Sequence, residues 1–452
     1  MASGTVRLDR SLQARVGVLG VLTIVAYGSW YYGFGVLLDD LRTQLHSSDR
    51  VLTVGFGLAQ LLTGVLGIAA GRVLDRRGVR VVFGAGATGG AGLLWLSSMA
   101  GGPWMFALLF GSAGGIIGAT GFYAMTQSIA ARLAPGREAV SIARLTVWGA
   151  FSSPLFIPGT GLANRWWGWR TTLRIDAVLI GVAFGAAMAV VDRTRATRSP
   201  RPSTSPITAV RAAFAVPMIR RLALSACAAT AGMAILLVYQ VPLLIAAGLS
   251  ATAASTLAGA RGFAQLLGRL PLSRIITRFG VRPSLRAARA MLAVGCLLII
   301  VSGHTFLAFV YVLIAGASIG AMSPLDGIYA RQSLPPDDLG TLMGSIALLT
   351  GIAGALGPFL AAVLVDTTGH RSSAAFLAAA CATVGALTMP IPAPTPATPG
   401  LDPHAGPHDL AHRPSPGRHP TERSAHVPDL EASIYSVAIA ALNARRPVRF
   451  TQ

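Results

Sequence analysis

Gly71-Arg72-Val73-Leu74-Asp75-Arg76-Arg77-Gly78-Val79-Arg80 lies between two long apolar runs, 51–70 and 81–100. An apolar run that ends in glycine, one acid, a knot of arginines, a second glycine and a further arginine reads as a tight basic turn at a membrane surface. Gly71 and Gly78 permit a sharp reversal and close helix approach. Arg72, Arg76, Arg77 and Arg80 mark the turn as cytoplasmic. Asp75 is one carboxylate among four arginines, so it is there to pair with something rather than to set topology.

Composition agrees with a chain that lives mostly in lipid. Of 452 residues, 53% are hydrophobic and 12% charged, against about 25% charged in a soluble domain. The net charge is +20 and all 37 basic residues are arginine. With no lysine, no Walker-type phosphate loop exists, which excludes nucleotide-driven transport of that kind. The arginines are scattered between apolar runs rather than gathered in one soluble patch, so nucleic acid is not an expected partner. Cys227, Cys296 and Cys381 fall inside apolar runs without CxxC spacing and read as structural thiols. No Ser/His/Asp set or metal-ligand set recurs. Neither an enzyme nor a metal or cofactor site is expected.

Runs long enough to span a bilayer, about 17–25 residues, occur near 15–38, 51–70, 81–100, 104–126, 140–162, 172–191, 221–245, 250–271, 287–303, 305–329, 341–365 and 373–390. The backbone must satisfy itself in lipid, so these are twelve helices. With the N-terminus inside, 29 arginines fall on cytoplasmic segments and six outside. That asymmetry places both termini in the cytoplasm of a multi-pass protein in the cytoplasmic (inner) membrane. The expected plan is a cytoplasmic N-terminus 1–14, a six-helix bundle 15–191, a polar basic linker 192–220, a second bundle 221–390 and a tail 391–452. The tail is rich in Pro, His and Arg and reads as disordered, with room for a short amphipathic helix over 428–445.

The halves resemble each other. Arg72–Arg80 aligns with Arg274–Arg282, where Thr277 replaces the acid, and Ser153-Pro154 aligns with Gly357-Pro358. The 71–80 spacing resembles the loop signature of the major facilitator superfamily, G-x-L-x-D-R-x-G-x-[RK]. That resemblance implies an all-α membrane protein of twelve transmembrane helices in two pseudo-symmetric six-helix bundles. It implies that Gly71, Asp75, Arg76, Gly78 and Arg80 form an inner gate. The Asp75 carboxylate would meet the N-terminal end of helix 11, near Gly340-Thr341-Leu342, where the helix dipole favours an anion.

Other residues are similar to the bacterial monocarboxylate-transporter-like and oxalate–formate-antiporter-like branch. They are Tyr27-Gly28-Ser29-Trp30-Tyr31-Tyr32 in helix 1, Tyr239-Gln240-Val241-Pro242 in helix 7, Gly248-Leu249-Ser250, and Gly262 through Arg269 followed by Pro283. In that branch an arginine at the place of Arg269 binds the substrate carboxylate. Gln265 stands where an acid is common, and Tyr32 stands near a lysine of the animal members. The implied substrate is a small organic anion, a monocarboxylate, carried with a proton or a counter-anion by a monomer in the bilayer. The drug-exporter branches place an arginine in helix 4, and none is present here. Export of a hydrophobic or cationic compound stands as the alternative.

Ionisable groups inside a membrane are functional candidates by default. Arg269 reads equally as a carboxylate ligand or as a residue snorkelling from the cytoplasmic end of helix 8. Arg261 lies near the midplane and is either a second cavity cation or paired with a helix 10 or 11 group. Asp326 is either a proton site or an arginine's partner. Arg174 and Asp176, which open helix 6 near the outer surface, are expected to form a local ion pair or a headgroup contact rather than to serve transport. Tyr32, Tyr123, Tyr239, Gln240 and Gln265 complete the expected cavity wall.

Overall fold

A computed structural model describes residues 10–135, 137–191, 211, 214–334 and 339–390. The chain divides into a unit over 1–390 and a second over 391–452. The tail with its expected amphipathic helix, and most of the linker, lie outside the described residues. Among the described residues there is no strand.

Among the described residues, twelve long helical segments follow one another, with one short helix between the eighth and ninth. α1 runs over 10–44 and contains a π-helical stretch, Tyr27–Tyr32. α2 is Asp49–Arg77. α3 covers 79–97, with a second π stretch at Gly86–Gly90. α4 covers 103–133 and is interrupted at Phe122. α5 covers 138–167 and α6 covers 169–190, joined at Gly168 where φ is +75°. α7 is Pro217–Ala246 and α8 is Ala251–Arg269. A short amphipathic helix, Leu272–Phe279, precedes α9 at 281–301. α10 is Thr305–Ser333, α11 is Leu339–Thr368 and α12 is Ser372–Leu387.

Nine of the described stretches are long and apolar enough to cross a bilayer by length and composition alone, and one of these, 140–190, contains both α5 and α6. α8 carries two arginines, and α12 is 16 residues long. Proline inside α5, α7, α10 and α11 removes a ladder bond that neighbouring helices then accommodate.

The first six helices pack among themselves, as do the last six, and three seams join the two sets. α2 lies along α11, α5 along α8, and the second half of α1 along α7. Small residues set these seams. A methyl group on Gly35 would collide with the Val238 carbonyl, and one on Gly262 with Ser153 and Pro154.

The repeat seen in the sequence is also a repeat of backbone conformation. Gly78 and Gly280 both take φ +81°, and Gly168 and Gly369 take +75° and +72°. Each pair occupies corresponding turns of the two halves. Such angles are open to glycine and strained for other residues.

Candidate functional site

α8 brings two arginines to one face, eight residues apart. Arg261 is about 16 Å along the helix, counting 1.5 Å per residue. Its side chain is wholly buried, at 0% exposure. Nε donates to Gln240 Oε1 at 2.9 Å, and the Tyr311 hydroxyl approaches the same oxygen at 3.4 Å. Gln240 is held in turn by its own Nε2, which donates to the Leu237 carbonyl at 3.2 Å. Nη1 and Nη2 of Arg261 have no partner in the protein. Tyr31 of α1 faces the guanidinium and also interacts with Gln60 of α2. A guanidinium buried without a carboxylate is costly, and its free fork is shaped for two oxygens of one anion.

Arg269 is placed differently. It is half-buried, and Nε donates to the Gly320 carbonyl at 3.3 Å. The Tyr123 hydroxyl of α4 interacts with it from the other half and donates to the Thr146 carbonyl at 3.2 Å. Gln265 is buried, and its backbone carbonyl lies against Gly320 of α10.

Facing these cations is an aromatic group built by the π stretch of α1. Tyr27, Tyr31 and Tyr32 have ring centroids 5.3–6.4 Å apart, and Tyr27 stacks on Phe122 at 3.7 Å. The extra residue of a π turn re-aims side chains, and such turns recur at functional sites. Tyr32 and Tyr123 are half-buried beside it.

The remaining acids separate into distinct roles. Asp326 Oδ1 accepts from Arg289 Nη2 at 2.6 Å. Arg289 also bonds Ser225 and the Gly385 carbonyl, tying α9, α10, α7 and α12 together. Asp326 is thus an arginine's partner. Arg289, counted among the cytoplasmic basic residues, is instead fully buried in α9. Of the two expectations for Arg174 and Asp176, the ion pair with each other is not formed. Arg174 Nε donates to Ser98 Oγ at 3.1 Å, while Asp176, two residues on and so on another face, is buried with Oδ2 unpartnered.

Tyr239, expected in the cavity, sits at the end that carries residues 45–48. Its hydroxyl interacts with Asp49 of α2 rather than with either α8 arginine. At that end Arg371 makes two bonds to Asp39, one of 2.9 Å, and Arg50 pairs with Asp366 at 2.9 Å. Both pairs join the first six helices to the last six. Burial alone would lower the Arg371 pKa, but the bond and charge of Asp39, with Asp49 and Tyr239 behind them, leave it above the ordinary arginine value.

At the opposite end the 71–80 turn closes through Gly78. Asp75 Oδ1 accepts from Arg132 Nη2 of α4 at 2.6 Å. Arg76 and Arg80 are exposed.

The family model described as Major Facilitator Superfamily matches residues 19–247 and 222–442. The chain belongs to the Major Facilitator Superfamily. An MFS-type efflux pump of Mycolicibacterium smegmatis is 30% identical over 203 residues, which is 41% of this chain and 46% of the pump. The chain therefore spans about half the length of the curated relative it matches.

Solved structures of the same fold include the nucleoside transporter NupG, with TM-score 0.69 at 14% identity over 84% of this chain and 98% of that one. A bacterial homologue of the human lysosomal transporter Spinster, inward-facing and unoccupied, has TM-score 0.62 at 15% identity over 85% and 95%. The E. coli fucose:proton symporter FucP has TM-score 0.58 at 14% identity over 84% and 98%. At these identities the likeness is one of major facilitator fold. The transporter's substrate is a separate question.

Proposed function

We propose that this transporter moves an organic anion across the cytoplasmic membrane by alternating access, with Arg261 as the central counter-charge. One observation carries the reading: a wholly buried guanidinium whose Nη1 and Nη2 have no protein partner, pinned through Nε by Gln240. An incoming carboxylate would complete the fork. Arg269, Tyr32 and Tyr123 would then guide the anion along the same face toward the 71–80 end. This differs from the expectation that put Arg269 first. Arg269 already has a carbonyl and a phenol, whereas Arg261 is left open. Monocarboxylate remains the simplest substrate class.

The two bundles, 15–191 and 221–390, would rock against each other with both termini cytoplasmic and the chain acting as a monomer. Asp39–Arg371 and Arg50–Asp366 would then close the outer side. The inner side would be latched through Asp75, held by Arg132 and offered to the start of α11.

Export is the second reading, favoured by the efflux pump that shares 30% identity over 203 residues. A cationic drug would want a free carboxylate in the cavity, and Asp326 is committed to Arg289. The experiment is uptake by purified protein in proteoliposomes, with labelled carboxylates and cationic dyes side by side. Loss of carboxylate flux in Arg261→Gln supports the anion reading. Unchanged carboxylate flux, or flux of dyes alone, overturns it.

A further inference from the structure

α9 carries three arginines, and the protein uses two of them. Arg282 donates to the Pro390 and Met389 carbonyls at 2.8 and 3.4 Å. Arg289 is bound to Ser225, Gly385 and Asp326. Arg286, one turn after Arg282, is exposed and has no hydrogen bond or ion pair among the described residues. It lines one end of a groove of about 340 Å³ between α9 and α12, two helices that take no part in the three seams. Ala290, Ala293 and Leu297 continue the α9 wall, and Thr383 and Leu387 stand on the α12 wall. The Thr383 hydroxyl already donates to the Ala379 carbonyl at 2.8 Å. The groove is therefore apolar along its length and charged only at Arg286.

The fold does not need an arginine there. Gly78 and Gly280 set the register of the two halves, which puts Gly84 of α3 in the place of Arg286. A methyl group on Gly84 would meet nothing within 4 Å. The first half thus has room for a side chain at this point and carries no cation. The length of the groove is also telling. From Arg286 to Leu297 is about 16 Å along the helix, close to the hydrocarbon depth of one leaflet, about 15 Å.

We propose that the α9–α12 groove binds one anionic phospholipid, with an acyl chain along the groove and the headgroup phosphate on Arg286. An apolar channel one leaflet deep with a single unclaimed cation at its end complements a lipid rather than a soluble anion. The chain would cover the alanines of both walls and the joint behind them. There the Gly385 carbonyl accepts from Arg289 at 3.1 Å, next to the lining residue Ala386. The bound lipid therefore braces α12 against α9. The site rests neither on Arg261 nor on the identity of the carried anion.

An arginine near a helix end also sets topology and snorkels to headgroups without any site. That role gives Arg286 no advantage over Arg278, which is exposed just before α9, and no dependence on the groove. The test uses the purified full chain, delipidated in detergent and titrated with phosphatidylglycerol or phosphatidylcholine. Bound lipids are counted by native mass spectrometry. The parent should take one phosphatidylglycerol ahead of phosphatidylcholine. Arg286→Gln should cut that preference about fivefold, the worth of one arginine near an anionic surface, and Arg286→Lys should keep most of it. Ala290→Phe leaves every charge intact and should weaken both lipids by filling the groove. Arg278→Gln should behave as the parent. Arg286 and Ala290 are both exposed, so the folded bundle tolerates these changes. Equal losses in Arg278→Gln and Arg286→Gln, or no loss in Ala290→Phe, overturn the site and leave a general basic surface. Displacement of the lipid by inorganic phosphate overturns it in favour of a soluble anion. A delipidated dimer that Ala290→Phe splits overturns it in favour of a second copy of the chain.

Discussion

Arg289 and Asp326 form an ion pair of unequal ends: the guanidinium is fully buried while the carboxylate keeps 41% of its side chain exposed, with 2.6 Å between them. The acid therefore neutralises the buried cation, and the pair holds α9 to α10. Asp326→Asn should cost about 3 kcal/mol, the lower end for breaking a buried pair because water reaches the carboxylate. The double variant Arg289→Met with Asp326→Asn should recover most of that. Thermal unfolding of the purified protein in detergent checks both, and full additivity of the two single changes would count against a coupled pair.

Arg261 should behave as a fork and not merely as a charge. Arg261→Gln should lower anion uptake by at least about 30-fold, the 2 kcal/mol or more expected for truncating one side of a buried charged contact. Arg261→Lys should recover only part, because one ammonium cannot grip two oxygens in parallel. Arg269→Gln should do less than either. The measurement is initial uptake rate against substrate concentration in proteoliposomes. Equal losses at the two positions would put the counter-charge back at Arg269.

The turn glycines offer a test free of packing. A methyl group at Gly78 would meet nothing within 4 Å, so any loss in Gly78→Ala comes from its φ of +81° alone. With ψ at −176° this is a glycine-only region, and about 1–3 kcal/mol of destabilisation is expected. Gly185→Ala, also in open space but inside α6, should instead stabilise by about 0.5–1 kcal/mol. Paired melting curves decide, and a destabilised Gly185→Ala would show that the comparison does not isolate the backbone.

Asp75→Asn should slow transport while leaving substrate affinity nearly intact, because the residue lies in the 71–80 turn and bonds Arg132, remote from Arg261. Turnover and binding measured separately check this. A large affinity loss with normal turnover would move Asp75 into the binding site.

Much of this architecture was legible before any coordinates. Twelve apolar runs, the glycine-bracketed basic turn and its copy at 274–282 follow from how lipid treats a backbone and how arginine treats a membrane surface. The details of the site were less accessible. The π stretch at Tyr27–Tyr32 inserts a residue into the helical register, which a 3.6-residue period does not reveal. Arg289 closes a run of five arginines and reads like its cytoplasmic neighbours, since nothing local says that Ser225 and Asp326 wait for it on other helices. Arg174 and Asp176 are close in sequence, but two residues along a helix turn them to different faces. Tyr239 and Gln240 are adjacent, so one meets Asp49 and the other Arg261. Tyr311 and Asp49 left no mark at all, because a partner's burial is a property of the packed bundle.

The two ion pairs at the Asp39 end have a consequence for the medium in which the protein works. Arg50 keeps 41% of its side chain exposed while paired by charge with Asp366. Pairs so open are weakened by dissolved salt, which screens charge over about 8 Å at physiological ionic strength. Asp49 beneath them is shielded from that screening. Salt in the medium at that end would therefore loosen the exposed pair first. The rate of opening at that end should climb with ionic strength at constant pH, and an uncharged osmolyte at the same osmolality should leave it unchanged.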